Sequence, residues 1–533
     1  MPFLVRNLIL SPEEDESLLS GLVQRRFGLR AQDVVSCRLV RKSIDARRKP
    51  RVKFICTVEC RLTDEAGFLA RFGTDPDVQP VVEPSPPTFP TLRPEPGIVI
   101  VGMGPAGLFT ALRLAEYGLV ATLVERGQPV ERRTRDVELF WRSGALDPES
   151  NVQFGEGGAG TFSDGKLTTR VNDRNITYIL ERLVTFGAPV EILYQAKPHI
   201  GTDRLRRVVA GIRQWLLDAG FEIRFACRAS DILVREGQVA GVVLNDHDEL
   251  SCSRLVLAPG HSARDTYRLL AERGVFLEAK PFAIGARIEH PQELINRIQY
   301  GKGFHPALPP AEYALAYNDR QRGRSAYSFC MCPGGVVVAG SSEQGGVVTN
   351  GMSAYRRDAT HANSALVVNV GPADFADPSP LAGIAFQQLW ERRAFAAGGG
   401  DYRAPAQNLL AFLGQRGGGL TSSYRPGVRE TDLATVLPAG VTETLRAGIH
   451  HFEGKMRGFI TAEATLTGVE TRTSAPVRIV RGDDFQSVTL RGLYPAGEGA
   501  GYAGGIMSAA LDGIRVADAL AQQLSKQQGA CFE

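Results

Sequence analysis

The segment GIVIVGMGPAGL, residues 97–108, contains a short apolar strand, a glycine turn and the start of a helix. Residues 98–101 have the unbroken apolar character of a buried strand. Gly102, Gly104 and Gly107 then have the G-x-G-x-x-G spacing, which permits a tight turn, close approach of a pyrophosphate and close helix–strand packing. The helix predicted from Pro105 to Tyr117 directs its N-terminal amides at the same anion. This segment predicts a dinucleotide site in an α/β fold.

An acidic residue follows at the distance that such a site requires. The next predicted strand, Val120 to Val124, ends at Glu125, roughly 20 residues past the glycines, where a carboxylate accepts hydrogen bonds from ribose hydroxyls. A carboxylate there also repels a 2′-phosphate, which disfavours NADP in this site. Because strands, helix and acid are in register, an ordinary glycine turn is a poor explanation of the motif.

A second glycine-rich turn near the end of the chain indicates which dinucleotide binds. Residues 492–513, GLYPAGEGAGYAGGIMSAALDG, place an acid, Glu498, at the end of a strand and begin a small-residue helix near Ile506. An NAD site within one Rossmann half needs no such partner. FAD is longer, and a second segment must hold its ribityl chain and ring. The sequence therefore predicts FAD as the cofactor.

Several segments between the two glycine turns also agree with an FAD-binding domain. Residues 151–167 form a long loop of glycines and hydroxyl residues, and loops of that length inside a domain are usually functional. Residues 255–260 end a strand in a tight turn. Thr202 is a candidate cap for a helix over 203–217, and short strands are predicted over 222–227, 231–235, 239–244 and 254–257.

The paired turns resemble the glutathione-reductase-like FAD superfamily, and by that resemblance Glu498 would bond the ribityl hydroxyls. Nearly the whole chain resembles a bacterial and plastid family of FAD-dependent dehydrogenases, or NAD(P)/FAD-dependent oxidoreductases, with an extra N-terminal domain. The segments that carry this resemblance are 41–49, 151–167, 281–291, 327–335, 467–476 and the final turn. The resemblance implies redox chemistry and specifies no substrate.

The motifs and the resemblance together predict a set of FAD-binding residues. These are Gly102, Gly104, Pro105, Ala106, Gly107, Glu125, Arg126, Gly155, Gly157, Gly158, Gly160, Thr161, Lys166, Ala258, Gly260, Gly497, Glu498, Gly505 and Ile506.

The predicted fold class is α/β, with a glutathione-reductase-like, Rossmann-type FAD-binding domain in two parts. We expect a ferredoxin-like α+β domain at 1–92, the first FAD part at 93–265, an inserted α+β substrate or cap domain at 266–459, and the last FAD part at 460–533. In the N-terminal unit a capping box, Ser11 to Glu14, predicts a helix over 12–27 between strands 3–10, 34–42 and 52–62, with a second helix over 64–72. The proline-rich residues 79–96 predict a connector.

Composition limits the functional class. The chain has 533 residues, 43% hydrophobic and 22% charged, as in ordinary globular proteins, and a length that suggests two or three domains. A net charge of +3 gives no global attraction to nucleic acid or membranes. We expect no membrane span, and eight cysteines without a framework of spacings indicate a reducing, cytoplasmic location.

The leading functional hypothesis is an FAD-dependent oxidoreductase that transfers hydride between the flavin and a small-molecule substrate held under the insertion. No second fingerprint follows residue 127, so electrons would come from the substrate, a transiently docked NAD(P)H or a protein donor. The alternative is an FAD-binding protein whose N-terminal domain, through its basic residues 41–51, docks RNA or a protein partner, with the flavin used for modification or redox sensing. A charged, solvated hairpin is the commoner explanation of such a run, which makes nucleic acid the less favoured partner.

Three residues are candidates for catalysis. Lys166 follows the long glycine loop and Arg472 lies just ahead of the final turn, so either cation could stabilise reduced flavin or bind an anionic substrate. His290 has an imidazole that ordinarily titrates near neutrality, although a structural histidine is the more frequent case.

The remaining cysteines and histidines predict no further chemistry. Cys330 and Cys332 lie in a predicted strand, 325–332, with closer spacing than the redox pair of flavin disulfide reductases, and we expect small buried side chains there. No Cys/His set has metal-like spacing, so no metal is predicted.

Overall fold

The computed structural model describes residues 2–81 and 89–528, so part of the predicted connector lies outside the described residues. The N-terminal region contains an antiparallel sheet in the order β2-β3-β1-β4 with two helices. Its elements are β1 (Phe3–Leu10), α1 (Leu18–Phe27), β2 (Val34–Asp45), β3 (Lys53–Leu62), α2 (Glu65–Phe72) and β4 (Val78–Pro80).

The first helix begins later than its capping box predicts. Glu14 does reach back to Ser11, whose amide donates to Glu14 Oε2 at 2.8 Å, but the bond closes a turn rather than a helix. The Asp15 carboxylate then accepts from the Ser17 amide at 2.9 Å, and α1 begins at Leu18. The local capping signal was correct, and the predicted start of the helix at residue 12 was wrong.

The central region is a five-stranded parallel sheet in the order β23-β11-β5-β6-β7, with most of its helices on one face and a three-stranded antiparallel meander with one helix on the other. Its strands are β5 (Ile98–Val101), β6 (Thr122–Val124), β7 (Glu222–Arg224), β11 (Arg254–Leu257) and β23 (Leu493–Pro495); the meander is β8 (Ala229–Arg235), β9 (Gln238–Leu244) and β10 (Asp248–Ser251). Its helices are α3 (Pro105–Glu116), α4 (Val130–Ser143), α5 (Asn175–Thr185), α6 (Thr202–Asp218), α7 (Arg264–Glu272) and α12 (Ile506–Gln528).

Alternation along the strands divides the core of this region. Ile98 and Ile100 pack with the helices, whereas Val99 packs on the meander side, because successive strand residues point to opposite faces. The helices α3 and α12 pack side by side, and Thr110 Oγ1 donates to the Gly513 carbonyl at 3.0 Å. Both helices therefore start at the carboxyl edge of the parallel sheet, where the two glycine turns meet.

The inserted region contains a seven-stranded sheet in the order β14-β15-β18-β13-β21-β19-β20 and four α-helices among its described residues. Its sheet strands are β13 (Phe282–Pro291), β14 (Ala316–Asp319), β15 (Arg324–Cys332), β18 (His361–Val370), β19 (Ala404–Asn408), β20 (Val428–Glu430) and β21 (Thr465–Glu470). Two small pairs, β12 (Leu277–Ala279) with β22 (Val477–Ile479) and β16 (Val336–Ala339) with β17 (Thr349–Met352), accompany α8 (Gln292–Tyr300), α9 (Ala382–Gly398), α10 (Leu409–Phe412) and α11 (Ala439–Lys455).

The end of the insertion differs from the predicted boundary at residue 460. Strand β21 pairs with β13 and β19 of the inserted sheet, so residues 465–470 belong to that sheet. Composition does not change at this boundary, because β21 is buried on both faces and resembles a strand of the FAD-binding part. The chain as a whole is a mixed α/β protein.

Candidate functional site

The glycines of the first turn stand where side chains do not fit. Gly102 has φ +99°, and a Cβ on it would lie 2.2 Å from the Ala258 carbonyl oxygen at the end of β11. A Cβ on Gly107 would lie 1.9 Å from the Gly102 carbonyl oxygen, so this glycine permits α3 to pack against the turn. The predicted steric roles of the first and third glycines are thus present in the structure.

Glu125 lies at the end of β6 with both oxygens held by the backbone. Oε2 accepts from the Met103 amide at 2.9 Å, and Oε1 accepts from the Gly127 and Gly155 amides at 2.9 and 3.0 Å. A carboxylate has about four acceptor positions, so one remains for a ribose hydroxyl. Glu125 therefore joins three backbone segments in addition to its predicted role as a ribose ligand.

Arg133 of α4 organises the long glycine loop. Its buried guanidinium donates to five loop carbonyls, at 2.7–3.1 Å: those of Asn151, Val152, Gly155, Glu156 and Gly158. Burial lowers the pKa of Arg133 to about 9, while Glu125 and Glu156 oppose that shift. One side chain thus fixes the loop that lies across the first glycine turn.

Glu498 at the second turn has a different environment. No side chain or backbone group within residues 2–81 and 89–528 hydrogen-bonds to its carboxylate, although the side chain lines the cleft. Burial raises the pKa of Glu498 to about 7, against the effect of Lys280. A carboxylate without a partner, beside the start of α12, is what a ribityl chain with several hydroxyls would complete.

The two turns, the loop and the inserted sheet surround one cleft of about 360 Å³. Among the predicted FAD-binding residues, those lining it are Gly102, Gly104, Pro105, Ala106, Glu125, Arg126, Gly155, Gly158, Gly160, Lys166, Ala258, Gly260, Glu498, Gly505 and Ile506. Gly107, Gly157, Thr161 and Gly497 are not among the lining residues. The Thr161 hydroxyl donates to the Glu156 carbonyl at 3.3 Å. Thr202 Oγ1 donates to the backbone carbonyl of Thr161, so the Thr202 side chain does not cap α6 as predicted.

The predicted catalytic residues lie in different places. Lys166 lines the cleft, donates to the Met331 carbonyl and lies 3.4 Å from Glu312 Oε2. Arg472 also lines the cleft, but its guanidinium is buried and binds Glu391 through two bonds of 3.1 Å. Arg264 binds the same carboxylate, so Arg472 is largely committed to a structural ion-pair network.

His290 is wrong as a catalytic candidate. It is fully buried on β13, outside the cleft, and its Nε2 pairs with the Phe459 carbonyl oxygen at 2.8 Å. Burial lowers its pKa to about 4, so it does not titrate near neutrality. The imidazole is a structural group of the inserted sheet.

The cleft contains residues that the sequence analysis missed. His261 follows the turn after β11, and burial together with Arg472 and Arg264 lowers its pKa to about 3, which keeps the ring neutral. Phe329, Cys330 and Asn350 form part of the wall that the inserted sheet supplies. His261 could have been predicted to line the cleft, because it directly follows the turn Ala258–Gly260. Phe329, Cys330 and Asn350 could not, because only the packing of the insertion against the FAD-binding part brings them there.

Comparison with known proteins places the chain in a family. An uncharacterized protein from Clostridium beijerinckii is 45% identical over 524 residues, covering 97% of this chain and 98% of that protein. Residues 281–473 match the family described as FAD-dependent protein, C-terminal domain-like, and residues 3–61 match a domain of unknown function, DUF8436. The chain belongs to this family of FAD-dependent proteins. Its cofactor is FAD, as the two glycine turns predict.

More distant similarities also occur for this FAD-dependent protein. Thiamine thiazole synthase from Aeropyrum pernix is 28% identical over 234 residues, covering 41% of this chain and 73% of that enzyme. The structure of glycerol-3-phosphate dehydrogenase from Bacillus halodurans complexed with FAD is 11% identical with a TM-score of 0.35, covering 83% of this chain and 66% of that one. Neither likeness assigns a substrate.

Within residues 2–81 and 89–528, no helix combines the length and the apolar character needed to cross a membrane.

Proposed function

We propose that this FAD-dependent protein is an oxidoreductase that transfers a hydride between the flavin and a small organic substrate. One observation carries the proposal: the cleft has two walls of different origin. The two glycine turns form one wall, and the inserted sheet forms the other. Phe329, Asn350 and Thr473 of that second wall face the same space as Gly104 and Glu498. Clefts between two structural units are a common location for substrates.

The residues of the cleft would hold and orient the cofactor. Glu125 would accept a ribose hydroxyl, the start of α3 would face the pyrophosphate, and Glu498 would accept from the ribityl chain. When bound, FAD supplies the hydride chemistry, and the protein supplies orientation and electrostatics. Lys166 would place a cation beside the reacting region, and neutral His261 would offer a hydrogen-bonding group without added charge.

The partner that exchanges electrons with the cofactor is part of the proposal. The sequence has one dinucleotide fingerprint, so we propose that the substrate itself, a transiently docked NAD(P)H or a protein donor fills this role. The wall from the inserted sheet is where a small-molecule substrate would contact the chain.

We also propose a fold type for the N-terminal and FAD-binding parts, an end point for the insertion and a cellular location. A ferredoxin-like N-terminal domain is supported by the βαββαβ order of its elements and the antiparallel strand order β2-β3-β1-β4. A glutathione-reductase-like FAD-binding part is supported by the parallel sheet, the meander and the two turns at one sheet edge. We place the end of the insertion after β21 rather than at residue 460. A cytoplasmic location is supported by the spacing of the eight cysteines.

The proposal is tested on purified full-length protein. Denaturation should release FAD and not FMN, identified by chromatography and mass, because the first turn is built for the adenosine and pyrophosphate half. Anaerobic absorbance spectra with NADH, NADPH and a panel of small organic reductants should then show bleaching of the flavin by one class of donor. Protein that holds no FAD after incubation with excess cofactor would end the proposal.

A further inference from the structure

Cys330 occupies an irregular position in the wall of the cleft. Strand β15 is bulged between Phe329 and Cys332, and Cys330 has φ +45°, a left-handed conformation uncommon for a residue with a side chain. Cys330 lines the cleft together with its neighbour Phe329. The expectation of a plain buried strand cysteine is therefore wrong for Cys330, since bulges beside a cleft re-aim side chains.

Cys332 lies behind Cys330 and close to it. The Cys332 thiol donates to the Cys330 carbonyl oxygen at 3.4 Å, and Cys332 is fully buried. Residues two apart in a regular strand span about 6.6 Å between Cα atoms, near the upper end of the ~4.4–6.8 Å range that a disulfide tolerates. That spacing already falls within this range, and the two cysteine side chains lie within hydrogen-bonding distance of each other.

Cations surround the outer thiol. Arg287 is fully buried and donates to the Cys330 carbonyl at 3.0 Å, and Lys166 donates to the carbonyl of Met331 between the two cysteines. Hydrogen bonding from the Cys332 side chain, and then Arg287 and Lys166, lower the pKa of Cys330 to about 6, while burial and Glu470 oppose this. The pKa of Cys332 is raised by the same hydrogen bond and by burial. These effects favour ionisation of the outer sulfur over the inner one.

The position of Cys330 within the cleft indicates which end of the cofactor it faces. The charge of Cys330 contributes to the raised pKa of Glu498, so the two groups lie at the same end of the cleft. Another cysteine, Cys227, lines the opposite end, where its amide donates to the Glu125 carbonyl at 3.0 Å. Cys330 therefore lies on the ribityl side and Cys227 on the adenosine side.

We propose that Cys330 and Cys332 form a dithiol–disulfide couple that exchanges two electrons with the flavin held in the cleft. The inference rests on the proposed function, because it needs FAD in this site. In the oxidising direction one S–S bond forms and the dithiol loses two electrons and two protons; FAD accepts the two electrons with one proton, and the second proton passes to solvent. The reverse direction breaks the S–S bond and returns both cysteines to thiols. The outer thiolate would attack a substrate disulfide that enters along the inserted wall, and in the opposite direction a substrate thiolate would attack the Cys330 sulfur of the internal disulfide.

The experiment is an anaerobic dithionite titration of the air-oxidised holoprotein, after its FAD content has been measured. Wild-type protein is expected to take up four electrons per FAD, two for the flavin and two for the disulfide. Cys330→Ser and Cys332→Ser are each expected to take up two. Cys227→Ser is the matched control, since it removes a cleft cysteine from the adenosine end, and it should still take up four.

Differential alkylation provides a readout that does not depend on the variants folding. When air-oxidised wild-type protein is denatured without reductant, Cys330 and Cys332 should resist alkylation until reductant is added, and mass spectrometry should find the peptide 2 Da lighter than the dithiol. Wild-type protein that binds FAD, takes up two electrons and is alkylated at both cysteines overturns the couple while leaving the proposed function intact. Protein without FAD overturns both.

Discussion

At the scale of single residues, the two acids of the cleft have opposite environments. Glu125 already accepts three backbone hydrogen bonds, whereas Glu498 has a raised pKa and its carboxylate accepts no hydrogen bond from the described residues. Glu125 therefore stabilises the protein before any cofactor arrives. Glu498 instead makes the empty cleft less stable once it is ionised, and a bound ribityl chain would relieve that cost.

Glu498→Gln tests this difference through pH. The folded protein keeps the Glu498 proton up to about pH 7, while the unfolded chain releases it near its ordinary pKa of 4.5. The folded state binds more protons in this window, so the contribution of Glu498 to stability falls as pH rises from about 4.5 to about 7. In urea unfolding of the apoprotein, E498Q should gain stability relative to wild type at the upper end of the window. If the free energy of unfolding of the two proteins changed with pH in parallel, the raised pKa of Glu498 would be contradicted.

Glu125→Gln is the contrasting variant. The amide group of glutamine would meet backbone N–H donors that now have an acceptor, so at least one buried donor loses its partner at a cost of about 1–3 kcal/mol. E125Q should destabilise the apoprotein at both ends of the pH window and also weaken FAD binding, measured by calorimetry. Weakened FAD binding with unchanged apoprotein stability would show that the three amide bonds contribute little.

Lys166→Met is expected to act on the electronics of the cofactor. A cation lining the cleft favours the more negative reduced form, so its removal should lower the flavin potential by about 30 mV, equivalent to ~1.4 kcal/mol for a two-electron couple. Lys197→Met is the control, because Lys197 pairs with the same Glu312 but does not line the cleft. Spectroelectrochemical titration should show a shift for K166M alone, with FAD retained in both. Equal potentials in all three proteins would make Lys166 a structural residue.

At the scale of elements, helix α4 is essential to the site through one side chain. Arg133 satisfies five carbonyls of a loop that has little secondary structure of its own. Without it those carbonyls face an apolar interior beside Phe162, over which the guanidinium stacks at 4.9 Å. The glycine loop keeps its shape because α4 supplies the donors.

Arg133→Met should therefore release the loop. We expect a loss of about 3–5 kcal/mol, because buried acceptors lose charged donors, with FAD lost on gel filtration and faster proteolysis within residues 151–167. Arg132→Met is the control, since the adjacent residue on α4 is exposed. Similar FAD retention in R133M and R132M would contradict the role given to Arg133.

Elements with a local signal were predicted well from the sequence. Strand β5, the glycine turn and helix α3 were predicted almost to the residue, because each rests on apolar runs and glycine spacing within the segment itself. Arg133 gave no signal, since an arginine in a charged helix normally faces solvent and its five acceptors lie 18–25 residues further along the chain. His290 was misassigned because residue type does not specify which way a side chain points.

At the scale of the whole molecule, the cleft joins segments that lie far apart along the chain. The first turn, the glycine loop, the turn after β11 and the second turn meet at one sheet edge, and β15 and the residues after β21 complete the wall. Sequence motifs identified the glycine turns because each contains its own pattern. The wall from the inserted sheet has no such pattern, so Cys330 and Asn350 could be placed only by the fold.

The N-terminal region is docked onto the rest of the chain. Lys42 exchanges backbone hydrogen bonds with Tyr194 and Ala196 at 2.7 and 2.9 Å, and Lys49 Nζ donates to the Ile298 carbonyl. Within the basic run, Lys42 also pairs with Glu16, and Arg47 with Asp45. Much of this positive charge is therefore used inside the molecule, which disfavours the run as an RNA-binding surface.

The last prediction is that the full-length protein does not bind RNA appreciably at physiological salt. With a net charge of +3, only weak non-specific binding is expected, with a Kd no tighter than about 10⁻⁶ M, because such affinity depends on unpaired basic residues that release counterions. Arg41→Ala, Arg48→Ala and Arg51→Ala, combined in one variant, should therefore leave electrophoretic mobility of a structured RNA unchanged relative to wild type. The FAD content of both proteins serves as the folding control. A submicromolar shift that the triple variant abolishes would overturn this prediction and make residues 41–51 a docking surface after all.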